Sequence, residues 1–172
     1  MTVSRDLFRA ISGSFPTGVL IVATLDEHGE PKGLTTQAYM GLSTDPPLVL
    51  VSIDRTSRTL PALQKHRAFV INFLEDGAEN VATLFASKSD EKFRNLRWES
   101  AAEAGGAPIL RDHSLAYAVC RVTEVHEAGD HILFVASVEA GEALGGTPLL
   151  YYKRTYAAWP EERPAPGIEG TG

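Results

Sequence analysis

Three short stretches of this chain carry side chains whose chemistry exceeds what packing needs. Gly129-Asp130-His131 sets an imidazole beside a carboxylate at a turn. Asp130 can bond the local backbone or orient the ring, and histidine changes charge near neutral pH. Ser57-Arg58-Thr59 groups two hydroxyls and a guanidinium immediately before a helical pattern, which suits a phosphate. Gly33-Leu34-Thr35-Thr36-Gln37-Ala38-Tyr39 places hydroxyls and an amide in an extended segment, so a strand end offers donors to a polar, planar ligand. Each stretch also has a plainer reading: a turn followed by an exposed histidine, a helix cap, an edge strand with polar residues facing outward. Taken singly, none of the three outweighs it.

Other chemistries are excluded by what is missing. No G-x-G-x-x-G follows the first strand, and the glycines between Gly141 and Gly146 and between Gly167 and Gly172 have the wrong spacing. A dinucleotide is therefore not held in the Rossmann manner. There is no P-loop, and Gly41-Leu42-Ser43-Thr44-Asp45 lacks the last glycine of a nucleophile elbow. His28, His66, His113, His126 and His131 give no i, i+4 pair, and Cys120 is the only cysteine, so no metal and no intrachain disulfide are expected. With 16 Lys and Arg against 22 Asp and Glu, the net charge is −6, which is not the footprint of a nucleic-acid binder. No apolar stretch nears the ~18 residues of a membrane span. The first residues lack a basic segment followed by a long apolar one, so no secretory signal is expected and the expected location is cytoplasmic.

The elements that must position these groups are mostly strands. A chain of 172 residues, 44% hydrophobic and 22% charged, suits one folded domain. Leu7, Phe8, Ile11 and Phe15 recur at helical spacing behind Ser4 as N-cap, and Gly13 with Phe15-Pro16 ends that helix. Strands are expected from Gly18 to Thr24, Lys32 to Met40, Leu48 to Ile53, Ala68 to Leu74, Leu115 to Val125, His131 to Ala140, and Leu149 to about Trp159. The run Leu48 to Ile53 reads as buried on both faces. The turn Glu127-Ala128-Gly129-Asp130 joins the two long strands as a hairpin. Thr59 to His66 and Glu79 to Ala86 read as helices, with a further short helix around Lys92 and Phe93 in the otherwise loop-like segment 87–112. Cys120, in an apolar run, reads as a small core residue. Residues 1–159 form the expected domain, and the Pro-rich residues 160–172 read as a flexible tail. Six or seven strands with few helices imply a closed or partly closed antiparallel barrel.

The order of these features is more specific than any one of them. FPTGV at Phe15 to Val19, GLTTQAY at Gly33 to Tyr39 and LSTDPPLVLVSI at Leu42 to Ile53 are followed by FVINFL at Phe69 to Leu74. FASKSDEKF at Phe85 to Phe93, GDH at Gly129 to His131 and PLLYYKRTY at Pro148 to Tyr156 complete the series. Over about residues 7 to 159 the chain resembles the flavin reductase family that supplies reduced flavin to two-component monooxygenases. The resemblance implies a mainly β fold: a six- to seven-stranded antiparallel split barrel, the FMN-binding split barrel of Greek-key type, with a few short flanking helices. It implies a homodimer with flavin clefts near the subunit interface. It implies an NAD(P)H:flavin oxidoreductase that uses FMN or FAD with NADH, NADPH being the other donor to test, and hands reduced flavin to a monooxygenase component by diffusion. Two other readings stay open: a split-barrel flavoprotein that keeps its flavin for electron transfer, and a non-catalytic flavin-binding barrel.

The resemblance also implies roles by position. Thr35, Thr36, Gln37 and Ala38 match the segment lining the flavin ring and ribityl chain. Ser52, Ile53 and Asp54 match the next strand end beside the flavin. Ser57, Arg58 and Thr59 match the phosphate-binding turn, and Phe85, Ala86, Lys92 and Phe93 match the segment that closes over the flavin. His131 matches the histidine placed near the nicotinamide, with a positioning role, and Tyr151, Tyr152, Lys153 and Arg154 match the strand after it. Gln37 and Tyr39 depart from the family's commoner residues at their positions, which leaves the choice between FMN and FAD open.

Overall fold

The structure, a computed structural model, describes residues 2–160. The expected tail, residues 160–172, lies outside them except for Pro160. Helix α1 (Arg5–Ser12) starts where the Ser4 side chain accepts from the Leu7 amide at 3.2 Å, the expected N-cap. Then follow β1 (Thr17–Gly18), β2 (Leu20–Leu25), β3 (Pro31–Thr36), β4 (Tyr39–Thr44), β5 (Pro47–Asp54), α2 (Leu60–His66), β6 (Ala68–Leu74) and α3 (Glu79–Ala86). Short strands β7 (Glu99–Ala101) and β8 (Ala107–Ile109) precede the long pair β9 (Ser114–Ala128) and β10 (His131–Ala143), and β11 (Leu149–Tyr152) and β12 (Thr155–Ala158) end the described fold.

Seven strands form one antiparallel sheet in the order β3-β2-β6-β9-β10-β5-β4. Its two edge strands are consecutive in the chain, separated by Gln37 and Ala38 alone. Leu20 and Val22 of β2 share one buried cluster with Val49, Val51 and Ile53 of β5, although these strands lie near opposite edges. That is satisfied when the sheet rolls up, with Phe69, Ile71, Cys120 and Phe134 filling the middle and Leu60 and Leu63 of α2 completing the same cluster. Register shifts between Val135 and Ala136, and between Val138 and Ala140, supply the bends that a β9–β10 ribbon needs to curl. The result is an antiparallel barrel, split between β3 and β4.

On the outer face, Val19, Ile21 and Ala23 meet α3 through Ala78, Val81, Ala82 and Phe85. Ala68, Val70 and Val119 meet Ala101, Ala104, Ala107 and Ile109. Strands β2 and β6 are therefore buried on both faces. Strand β5 is not: Val49, Val51 and Ile53 are buried while Leu48, Leu50 and Ser52 are half-buried, because the covering segments sit on β2, β3 and β6.

Four other expectations are corrected. Lys32 to Met40 is two strands, since the Thr36 hydroxyl accepts from the Ala38 amide at 3.0 Å and turns the chain. Lys92 and Phe93 lie in a turn rather than a helix. The segment 87–112 holds the β7–β8 hairpin and two 3-10 turns. The last strand is a hairpin, β11–β12, which forms a separate three-stranded sheet with β1. Its turn places Lys153 and Arg154 at φ of 46° and 67°. Helix α1 forms as expected, yet none of its residues is buried, so its apolar face is open. No described helix is long and apolar enough to cross a membrane.

Candidate active site

Four segments that are distant in sequence meet at one cleft of about 1100 Å³. The β3–β4 connection contributes Gln37 and Ala38, and the β9–β10 tip contributes His131. The β11–β12 hairpin contributes Tyr151, Lys153 and Arg154, while Phe8, Arg9 and Phe15 close the side formed by α1 and the residues after it.

His131 Nδ1 lies 2.7 Å from the Asp130 carboxylate. A carboxylate only accepts, so Nδ1 carries the proton and Nε2 is left for a ligand. The same bond holds the Asp130 carboxyl below its usual range. His131 pairs across the ladder with Asp54, whose carboxylate accepts from both the Thr56 amide and hydroxyl at 2.7 Å. Those two donors, with His131 adding to them, hold Asp54 below the usual carboxylate range. Arg55 ties this turn to the histidine tip, its amide donating to Asp130 O at 3.0 Å and its Nε to Gly129 O at 3.0 Å.

The β3–β4 connection is held from three sides. The Thr17 hydroxyl donates to Gln37 Oε1 at 2.6 Å, so Gln37 turns its N–H2 end toward other partners. The Ser52 amide donates to Ala38 O at 3.1 Å, which anchors the connection to β5. Thr35 donates its hydroxyl to Ala82 O at 2.6 Å and so clamps α3 to β3. The hydroxyls of Thr35 and Thr36 thus hold the loop, and the amide end of the Gln37 side chain remains to meet a ligand.

A second, smaller depression of about 30 Å³ is lined by Arg58, Thr59 and Lys92 with Lys32, Ser89 and Asp90. Arg58 Nη1 donates to Lys88 O at 2.6 Å and to Asp90 Oδ1 at 3.1 Å. Lys92 Nζ donates to Phe85 O at 2.7 Å and to Gly33 O at 3.1 Å, pinning its turn to α3 and β3. Burial, and then the Arg58 charge, push the Lys92 ammonium down from its usual range, while Asp90 pulls it back. Thr59 is buried and makes no side-chain cap bond; its amide donates to Ser57 Oγ at 3.3 Å. Phe85 and Phe93 meet edge to face at 4.8 Å, both buried. A Cβ on Gly33 would come within 2.8 Å of the Phe85 ring, so glycine is required for this contact.

The structure thus divides the expected residues. Gln37, Ala38, His131, Tyr151, Lys153 and Arg154 share the large cleft, and Arg58, Thr59, Lys92 and Phe93 share the smaller depression. Ile53 is fully buried in the barrel core, which leaves only its backbone near the strand end. Phe85 is core as well, Ala86 is exposed beside it, and Ser52 is half-buried. Tyr152 is exposed, outside the cleft lining, with the Lys153 ammonium 5.2 Å from its ring centre. Residues not expected at these sites are Phe8, Arg9, Phe15, Thr17, Lys32 and Asp90. Phe15 and Thr17 were within reach through the FPTGV block, whereas nothing local distinguishes Arg9 or Asp90.

The arrangement, a large cleft lined by His131, Lys153 and Arg154 and a separate small depression lined by Arg58 and Lys92, agrees with comparisons to known proteins. The flavin reductase like domain family matches residues 12–160. Flavin reductase (NADH) of Kitasatospora aureofaciens is 43% identical over 162 residues, covering 93% of this chain and 84% of that protein. Flavin reductase (NADPH) of Lentzea aerocolonigenes is 34% identical, covering 90% and 89%. The crystal structure of a nitrilotriacetate monooxygenase component B homologue from Mycobacterium thermoresistibile superposes with a TM-score of 0.86 at 34% identity, covering 94% of this chain and 90% of that one. With the split barrel, the converging strand ends and the sequence match all in agreement, this chain belongs to the flavin reductase family and is an oxidoreductase.

Proposed function

We propose that this protein passes hydride from a reduced nicotinamide nucleotide to a flavin and releases the reduced flavin to a monooxygenase component. The reading rests on one observation: the cleft that joins Gln37, Ala38 and His131 to the Lys153-Arg154 turn. Its volume, about 1100 Å³, is just above the usual range for a single small-molecule site and suits two planar ligands. The donor set fits as well. Gln37 offers amide hydrogens to a polar ring edge, and Arg58 and Lys92 offer cations to the flavin phosphate. Lys153 and Arg154 offer cations to the phosphates of the nucleotide. Two non-glycine residues at positive φ cost backbone energy, which is consistent with a turn kept for what its side chains present.

When bound, the flavin would supply the hydride-accepting N5 and the nicotinamide the hydride at C4, with Gln37 and His131 of the same cleft holding the two rings. His131, its tautomer set by Asp130, positions the nicotinamide carboxamide and moves no proton. Gln37, oriented by Thr17, fixes the flavin ring. The side-chain amide of Gln37 would face the charge that develops on the reduced ring, since the Ala38 amide is held by the Thr36 hydroxyl. Ser57, Arg58 and Thr59 hold the phosphate, and Lys92 with Phe85 and Phe93 braces the loop above it. NADH is the donor we assign first, in line with the 43% identical relative, and either FMN or FAD is taken as the flavin. A second copy of the chain covers the apolar face of α1 and β4, where Leu7, Phe8, Ile11, Tyr39, Met40 and Leu42 are exposed. The protein then works as a homodimer with its clefts beside the interface.

The test is nicotinamide oxidation by the purified protein with FMN, FAD and riboflavin added separately, under NADH and then NADPH. Oxidation that depends on added flavin is expected. Unchanged nicotinamide absorbance with every flavin and both donors would overturn the assignment.

A further inference from the structure

The small depression lined by Arg58 holds a carboxylate among its cations. Arg58 Nη1 is bonded to Asp90 Oδ1 at 3.1 Å and to Lys88 O at 2.6 Å. The remaining cations lining the same depression are also engaged: Lys92 on two carbonyls, and Lys32 with the Asp26 carboxylate at 3.3 Å. Asp90 is the carboxylate lining this depression, in a loop whose flanking amides are bonded to serine hydroxyls. The Ser89 amide donates to Ser87 Oγ and the Glu91 amide to Ser89 Oγ, both at 3.1 Å. The neighbouring Glu91 carboxylate turns away to Arg94 at 2.8 Å. Both Arg58 and Asp90 are largely exposed, with side-chain accessibilities of 59% and 82%, so the pair is weak and easily exchanged for another anion.

We propose that Asp90 acts as an internal counter-anion that competes with the flavin phosphate for Arg58 and so sets how readily the flavin leaves. The inference rests on the reading that Arg58 receives that phosphate. A phosphate arriving at Arg58 meets a carboxylate of like charge that must be displaced or tolerated alongside, and either outcome weakens binding. On release, Asp90 takes up the Arg58 charge again, while Lys88 O keeps its hydrogen bond to the same nitrogen. A protein that must part with its reduced flavin gains from such a built-in exchange. The sign also separates this role from the obvious structural one. If Asp90 merely oriented Arg58 for the phosphate, removing its charge would loosen binding rather than tighten it.

The experiment is a fluorescence titration of FMN and of riboflavin, which lacks the phosphate, into the full chain, Asp90→Asn and Arg58→Gln at low ionic strength. For Asp90→Asn the FMN Kd is expected to fall about three- to tenfold, the riboflavin Kd to stay put, and the difference to shrink with added salt. For Arg58→Gln the FMN Kd is expected to rise while that of riboflavin does not. If Arg58→Gln leaves the FMN-to-riboflavin ratio unchanged, the phosphate does not sit at Arg58 and the inference falls with that placement. If Arg58→Gln behaves as expected but Asp90→Asn leaves the FMN Kd unchanged, raises it, or tightens riboflavin equally, the placement stands and the role of Asp90 is refuted.

Discussion

Thr17 and Gln37 are joined by a 2.6 Å hydrogen bond that links β1 to the β3–β4 connection at the edge of the large cleft. The hydroxyl donates and the side-chain carbonyl accepts, so the amide end of Gln37 is directed by a residue that need not touch the flavin. Thr17→Val keeps the shape and removes the donor. The loss of one oriented hydrogen bond, about 0.5–1.5 kcal/mol, corresponds to a roughly three- to tenfold rise in flavin Kd. Thr17→Ser should restore the wild-type value. In a double-mutant cycle with Gln37→Leu the two losses should be non-additive, as expected for partners in contact.

His131 touches the cleft at the tip of the β9–β10 hairpin, and Asp130 sets its tautomer. In steady-state kinetics, His131→Ala should lower kcat/KM for the nicotinamide nucleotide about tenfold or more while leaving the flavin Kd within about twofold. Asp130→Asn should give a smaller loss of the same kind. Equal losses in nucleotide turnover and flavin binding would remove the positioning role from this residue.

Cys120 lies in the barrel core between Phe69 of β6 and Val138 of β10, and burial, with Glu139 adding to it, pushes its thiol from 9.0 up to about 12. A protonated, enclosed thiol should not react with a disulfide reagent at pH 8 until denaturant is added. Its folded-state pKa is raised, so its contribution to stability is complete below about pH 9 and is lost as the pH climbs toward 12. The loss is at most about 1.4 kcal/mol per pH unit in that window. Denaturant midpoints at pH 8 and pH 10 should therefore converge for wild type and Cys120→Ala as the pH rises.

Local order was readable from residue type. The β-branched runs at Leu20 and Ala68 become strands because both of their faces find apolar cover, and the Ser4 cap and the Gly129 turn form where short-range hydrogen bonding and turn chemistry require them. The split at Gln37 and Ala38 was not readable, because a single threonine hydroxyl bonding two residues ahead makes the turn inside a run of extended formers. The turn at Lys92 and the strands within 87–112 were hidden for a related reason. What holds them is long-range: Lys92 on Gly33 and Phe85, Asn72 on Leu110 and Pro108, and Arg111 on Glu99 and Glu142.

The kinds of chemistry available to this chain, a histidine beside a carboxylate, an arginine between hydroxyls, an amide at a strand end, follow from residue identity and neighbours within a few positions. Which of those groups share a cleft does not. Gln37, His131 and Arg154 meet because a seven-stranded sheet rolls until its edge strands adjoin, and rolling depends on burying Leu20 against Val51 across the whole barrel. The same closure turned the Thr35 hydroxyl and the Ile53 side chain to packing and brought Thr17 and Asp90 to the sites. Side-chain reach is a few ångströms, whereas Gln37 and Arg154 are 117 residues apart along the chain, so only the folded path of the backbone could choose the partners.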